Sequence, residues 1–251
     1  MLEIFLGIIY FLIGTLLGSF CTLAVYRIPL KEDITHKRSF CPNCNHRLEF
    51  LDLIPVWSYI FLGGKCRYCK QKIRARYIIL ELLSGISFMI FGLSFNISFY
   101  NMQLSDLIFI VFGMIYLCIF EITAGIDFEK RQFEKGLINF EFIISIIYML
   151  YLCILGINMY RYIIYFIIIV AVFILSKVKQ NYTLDLITYL LLGLVYIGTN
   201  AMFFAIIATL IAIALKSLIN VKHKEKGKYA IGGIFSIVLI IFMVMQNYLL
   251  I

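Results

Sequence analysis

Charge is scarce in this chain. Only 14% of its 251 residues are Asp, Glu, Lys or Arg, against about a quarter in an ordinary soluble domain. Apolar residues make up 63%, and the mean hydropathy is +0.99. Soluble packing cannot hide that much apolar surface, so a bilayer must take it up. The amino terminus lacks the basic region and small-residue cleavage site of a secretory signal peptide. Its apolar stretch from Ile4 to Tyr26 is about long enough to span a membrane and is expected to be a retained first helix. Internal repeats, low-complexity linkers and any soluble segment larger than about 27–76 are also missing. The net charge of +8 would suit nucleic acid. Here the cations sit in a few short loops, the pattern of a membrane protein with a positive inner side, so no nucleic-acid partner is expected.

What is present is a series of apolar runs, at about 4–26, 77–100, 107–126, 137–156, 162–176, 184–198, 201–218 and 229–251. The fifth to seventh lie near or below the lower limit of about 17 residues for a span, which leaves six or seven spans as the alternative to eight. With the amino terminus outside, the loops at 27–76, 127–136, 177–183 and 219–228 all face the cytosol. This arrangement puts 21 of the 22 Lys and Arg residues inside and leaves only Arg161 outside. The expectation is an all-α polytopic membrane protein of about eight transmembrane helices, with a cytosolic zinc-knuckle loop domain after the first helix. Residues 1–26 form the first transmembrane helix, 27–76 the loop domain and 77–251 a transmembrane domain.

Four of the seven cysteines lie in that loop. Cys41-Pro42-Asn43-Cys44 is followed after 21 residues by Cys66-Arg67-Tyr68-Cys69. Each C-x-x-C offers two thiolates to one edge of a metal, and two such knuckles complete a tetrahedral zinc site with no open position, suited to structure and not to chemistry. The competing reading, disulfides or redox-active pairs, fits an external loop better than a cytosolic one, where thiols stay reduced. Gly63 and Gly64 would permit a tight turn into the second knuckle. His46 is either a surface histidine or a substitute ligand. Cys21, Cys118 and Cys153 fall in predicted spans and read as small hydrophobes.

An ionisable group in hydrocarbon costs about 2.5–3.5 kcal/mol on insertion scales, so each calls for a reason. The candidates are Glu81, Glu121, Asp127, Glu141 and Asp185. Asp127 closes the third span and Asp185 opens the sixth, both at the cytosolic end. Two carboxylates meeting over one water there would form an aspartic-protease dyad sharing one proton. Alternatively, each is an interfacial charge or a helix cap. The three glutamates receive no role from sequence.

Together these stretches resemble the bacterial type IV prepilin peptidase family of leader peptidases and N-methyltransferases. The resemblance is carried by Gly18-Ser19-Phe20 with Val25-Tyr26-Arg27-Ile28-Pro29, and by the two knuckles with Ile54-Pro55, Ser58-Tyr59 and Leu62 between them. Ile73, Arg76-Tyr77 and Glu81-Leu82-Leu83-Ser84-Gly85 continue it, and Ile126-Asp127-Phe128 resembles the first catalytic motif. The second family motif is G-x-G-D, where this chain reads Tyr182-Thr183-Leu184-Asp185, keeping the aspartate without either glycine. The resemblance implies catalytic Asp127 and Asp185, structural zinc on Cys41, Cys44, Cys66 and Cys69, and S-adenosylmethionine as the cofactor of a methyltransferase activity. It implies a bacterial cytoplasmic-membrane location among lipid, with the zinc loop and active site facing the cytosol. The substrate it implies is a prepilin or pseudopilin, cut between a short basic leader and an apolar helix. Glu32, Asp33, Glu49 and Asp52 are candidate receivers of that leader. A non-proteolytic or methyltransferase-only relative acting in pilus or secretion assembly is the alternative, favoured by the altered second motif.

Overall fold

The structure is a computed structural model that describes residues 2–36, 38–95, 103–130, 132–156, 159–179, 182–197 and 231–249. The expected span at 201–218 and the basic loop at 219–228 lie outside these residues. The described chain is helical, and its only β pairing is two isolated bridges. It divides into two compact units, residues 1–102 and 103–251.

The first unit pairs α1 (Leu2–Arg27) with α3 (Arg76–Ser94), and the loop between them carries the short α2 (Trp57–Phe61). The two long helices run antiparallel on a seam of small residues. A Cβ on Gly14 would stand 2.6 Å from the Cβ of Phe88 and 2.8 Å from the carbonyl of Ser84. One on Gly18 would stand 2.8 Å from the Ser84 hydroxyl. Ser84 Oγ donates to the Gly14 carbonyl at 2.8 Å across the seam. In lipid no hydrophobic force brings apolar helices together, so close backbone approach and interhelical hydrogen bonds do it. Gly14-x-x-x-Gly18 opposite Ser84-Gly85 is that device. Arg27, at the end of α1, is buried, and its guanidinium donates to the carbonyls of Asp33 (3.0 Å) and Arg38 (3.3 Å), folding the start of the loop back over the helix end.

The second unit contains α4 (Leu104–Lys130), α5 (Lys135–Ile154), α6 (Met159–Lys179), α7 (Tyr182–Ile197) and α8 (Ile231–Leu249). From Asp185 onward α7 is buried at nearly every position, which suits a helix that is apolar all round. Tyrosine hydroxyls stitch its neighbours together. Tyr165 on α6 donates to the Leu191 carbonyl at 2.6 Å, and Tyr196 on α7 to the Phe109 carbonyl at 2.9 Å. Tyr116 pairs with Ser145 at 2.9 Å and Tyr189 with Ser236 at 2.7 Å. A bilayer offers these groups no water, so they are satisfied internally.

Four helices, α1, α3, α4 and α5, are long and apolar enough to cross a membrane, while α6, α7 and α8 contain shorter apolar stretches. Their outward faces, such as Ile143, Ile147, Leu150 and Ile154 on α5, are exposed apolar surface suited to lipid. The chain is thus a multi-pass, mostly helical membrane protein.

Candidate metal centre and carboxylate site

The two C-x-x-C segments fold alike. In the first, the Cys41 amide donates to the His46 carbonyl (3.0 Å), the Asn45 amide donates to the Cys41 carbonyl (2.8 Å), Asn45 has φ 55°, and Phe40 bridges Arg47. In the second, the Cys66 amide donates to Gln71 (2.8 Å), Lys70 to Cys66 (3.0 Å), Lys70 has φ 59°, and Lys65 bridges Lys72. Gly63 and Gly64 turn the chain into this second knuckle at φ 60° and 68°. A Cβ on Gly64 would strike the Tyr59 ring at 2.9 Å.

The knuckles face one another. The sulfurs of Cys41, Cys44, Cys66 and Cys69 all lie within 4.8 Å of one another, with Cys41 and Cys69 3.9 Å apart. A tetrahedral ion with Zn–S bonds of about 2.3 Å requires sulfurs separated by about 3.8 Å. The four-sulfur set therefore fits a closed metal site. Its thiols are not equivalent. The Asn43 side-chain N–H and the Gln71 amide hold Cys69 down at about 6. At Cys44 the His46 amide works downward, but desolvation and the Cys41 and Cys69 thiols outweigh it, leaving the group at about 11. His46 lies against the Tyr68 ring, with centroids 3.6 Å apart.

The loop's acidic groups are already engaged. Asp52, nearly buried, accepts from Arg67 Nε at 2.6 Å and from Tyr68 at 3.5 Å, and its partner Glu49 shares a capping box with it. Asp33 accepts from the Thr35 and His36 amides, which hold its carboxyl down at about 2. Glu81, given no role by sequence, accepts from the Val56 amide at 2.8 Å, and so ties the loop to α3. Val56 adopts φ 63° there, an uncommon conformation for a β-branched residue. Sequence reasoning missed this tie because its donor is a backbone amide, which residue identity does not mark.

Asp127 is completely buried near the end of α4. Its Oδ2 accepts from the Gly233 amide at 3.0 Å, one of the donors that the first turn of α8 leaves unpaired. Gly232 makes room for it, since a Cβ there would stand 3.1 Å from Oδ2 and press on the Phe133 ring. Asp185, in the first turn of α7, is 8% exposed and accepts a short hydrogen bond from Ser176 near the end of α6.

Tyr189 relates the two positions. It lies one turn beyond Asp185 on α7, and its ring packs on Phe120 (5.8 Å) and Phe133 (5.6 Å), which bracket Asp127 in sequence. Its hydroxyl meets Ser236, one turn beyond Gly232 on α8. Asp127 lies toward the carboxyl end of α4, whereas Asp185 and Gly232 lie toward the amino ends of α7 and α8. All three lie beyond the Tyr189 contacts toward one end of this unit. A shallow depression lined by Thr123, Ile126, Phe133, Glu134, Leu137 and Ile138 adjoins Asp127. Sequence reasoning gave the Gly232-Gly233 pair no role, although adjacent glycines at the start of an apolar run are a signal of close backbone approach. Glu141, on α5, is completely buried, and among the described residues its carboxylate has no hydrogen-bond partner.

A four-sulfur loop between two apolar helices, followed by an apolar bundle with two buried aspartates, defines a multi-pass membrane protein with a metal-competent loop. Residues 12–95 match the family model described as the bacterial peptidase A24 N-terminal domain. Three similar proteins are each named prepilin leader peptidase/N-methyltransferase. One, from Vibrio cholerae, is 33% identical over 149 residues, 56% of this chain and 55% of that protein. One from Bacillus subtilis is 41% identical over 90 residues, 36% of each chain. One from Klebsiella pneumoniae is 30% identical over 137 residues, 52% of this chain and 56% of that protein. The chain thus spans little more than half the length of these relatives at most. No solved structure matches it. The chain is similar to bacterial prepilin peptidases over part of its length, and residues 12–95 carry the family's N-terminal domain match.

Proposed function

We propose that this chain is a membrane aspartic endopeptidase that removes the short basic leader of prepilins or pseudopilins. The observation that carries the proposal is the placement of Asp127 and Asp185, both buried in a helical bundle and both beyond Tyr189 toward one end. A buried carboxylate in a membrane helix is expensive unless it has work to do. The two share one proton. The charged member takes a proton from water, the resulting hydroxide attacks the scissile carbonyl, and the neutral member polarises that carbonyl's oxygen. The tetrahedral intermediate then collapses with proton transfer to the leaving amine. Gly233 and Ser176 orient the two carboxylates through their hydrogen bonds.

In this reading residues 77–251 form the peptidase domain, residues 27–76 the zinc loop and residues 1–26 the first of about eight spans. The zinc loop and both aspartates face the cytosol, the side to which the basic loops assign them. Cys41, Cys44, Cys66 and Cys69 would hold zinc, which would fix the loop. N-methylation of the new amino terminus with S-adenosylmethionine is the second activity, in keeping with the names of the relatives. Leu184, where the family carries glycine, supports the alternative of a non-proteolytic or methyltransferase-only relative, because its side chain fills space beside Asp185.

The test is leader cleavage of a cognate prepilin co-expressed in a host lacking its own peptidase. Cleavage by the wild type, and none by equally expressed Asp127→Asn and Asp185→Asn, is expected. Cleavage by either variant within tenfold of the wild type would remove that aspartate from the mechanism. An inactive but well-expressed wild type would favour the alternative.

A further inference from the structure

One surface of the loop is unlike the rest of it. Phe50, Leu51, Leu53, Trp57, Ile60 and Phe61 are all exposed, Phe50 by 80% and Phe61 by 81%. They lie in a twelve-residue stretch that includes a 3-10 turn and α2, yet the loop's own core leaves them uncovered. The stretch is held firmly in place. At one end Arg67 binds Asp52 at 2.6 Å, joining the apolar turn to the second knuckle. Near its middle the Val56 amide binds Glu81 at 2.8 Å.

That second tie sets the depth of the stretch. With 19 residues, α3 is about 28 Å long, close to the hydrocarbon thickness of about 30 Å. Arg76 therefore stands at one boundary, and Glu81, five residues on, lies about 7 Å along the helix from it. Side chains on a helix lean toward its amino terminus, so the Glu81 carboxylate reaches back toward that boundary. Val56 is bound there, close to the boundary between headgroups and hydrocarbon, and its exposed apolar neighbours adjoin it in the chain. The same loop carries exposed cations, namely Arg47, Lys65, Lys70, Lys72 and Arg74. Anionic headgroups complement that charge. Trp57 supplies the amphipathic ring that collects at such boundaries.

We propose that residues 50–61 form an interfacial anchor. The apolar side chains of this stretch enter the headgroup and acyl boundary of the bilayer and seat the metal-competent loop on the membrane. The occupant of this surface is lipid, in contrast to a substrate helix or a second copy of the chain. The proposal rests on α3 crossing the membrane and is independent of whether the chain cleaves anything.

Trp57 is the chain's one tryptophan, so its fluorescence reports on this surface alone. The full chain would be placed in nanodiscs of phosphatidylcholine and phosphatidylglycerol built with a tryptophan-free scaffold protein, with and without acyl-brominated phosphatidylcholine. Bromolipid is expected to quench Trp57 at least about twofold more than aqueous iodide does, because an interfacial segment buries its apolar face at that depth. The Phe50→Ser, Phe61→Ser double variant is expected to reverse that ratio with its metal content unchanged. Iodide quenching that exceeds bromolipid quenching in the wild type would overturn the proposal. So would shielding of Trp57 that appears only when a prepilin peptide is added, or only in discs holding two copies.

Discussion

Replacing Gly232 by Ala tests how tightly Asp127 is seated without altering either carboxylate. In an ordinary helix the change is stabilising, by about 0.8–1 kcal/mol of propensity. Gly136 is the internal control. It lies exposed in the first turn of α5, where an added Cβ would meet nothing within 4 Å, so Gly136→Ala should stabilise by up to about that amount. At Gly232 the new Cβ would meet Asp127 Oδ2 at 3.1 Å and press on the Phe133 ring. The ring contact is too close to stand, and Tyr189 backs the ring, so the start of α8 must shift away from the ring and from the Asp127 carboxylate. The carboxylate's bond from the Gly233 amide is then lost or weakened. A hydrogen bond to a charged group contributes about 1.5–3 kcal/mol. Subtracting the propensity gain leaves a net destabilisation of about 0.5–2 kcal/mol. For a chain of this size that lowers the unfolding midpoint by about 1–8 °C, whereas Gly136→Ala raises it. Thermal unfolding in one detergent, followed by circular dichroism, reads both variants, and leader cleavage by Gly232→Ala should fall in parallel. A midpoint that rises for Gly232→Ala as it does for Gly136→Ala, with cleavage unchanged, would refute the close seat.

Purified protein is expected to carry about one zinc per chain, and Cys41→Ser or Cys69→Ser to lose most of it; equal metal in wild type and variants would remove the site. In metal-stripped protein, Cys69 at about 6 is mostly thiolate at neutral pH and Cys44 at about 11 is not. Alkylation mapped by mass spectrometry should therefore reach Cys69 first and slow as pH falls through about 6. Faster labelling of Cys44 would contradict that order. On the seam between α1 and α3, Gly14→Leu is expected to cost about 1–3 kcal/mol through overpacking and to lower the unfolding midpoint, since the atoms it meets are the Cβ of Phe88 and the backbone at Ser84 and Gly85. An unchanged midpoint would show that the helices do not rely on close approach there.

The sequence alone determined the class of this protein, because class follows from quantities that are local. Apolar run length marks a membrane helix wherever the helix packs, and doubled C-x-x-C spacing brings two pairs of sulfurs within reach of one ion before any tertiary contact is known. The positions of Asp127 and Asp185 near helix ends were legible for the same reason. Tertiary structure alone decided the partners. The Gly233 amide under Asp127, the Ser176 hydroxyl on Asp185 and the Val56 amide on Glu81 join separate elements of the fold, and two of the three use backbone atoms common to every residue type. The exposed face from Phe50 to Phe61 belongs with these. As sequence it is an apolar stretch fit for a loop's core, and only the fold shows that the core closes without it. Burial is a property of what surrounds a side chain, and a sequence does not carry its surroundings.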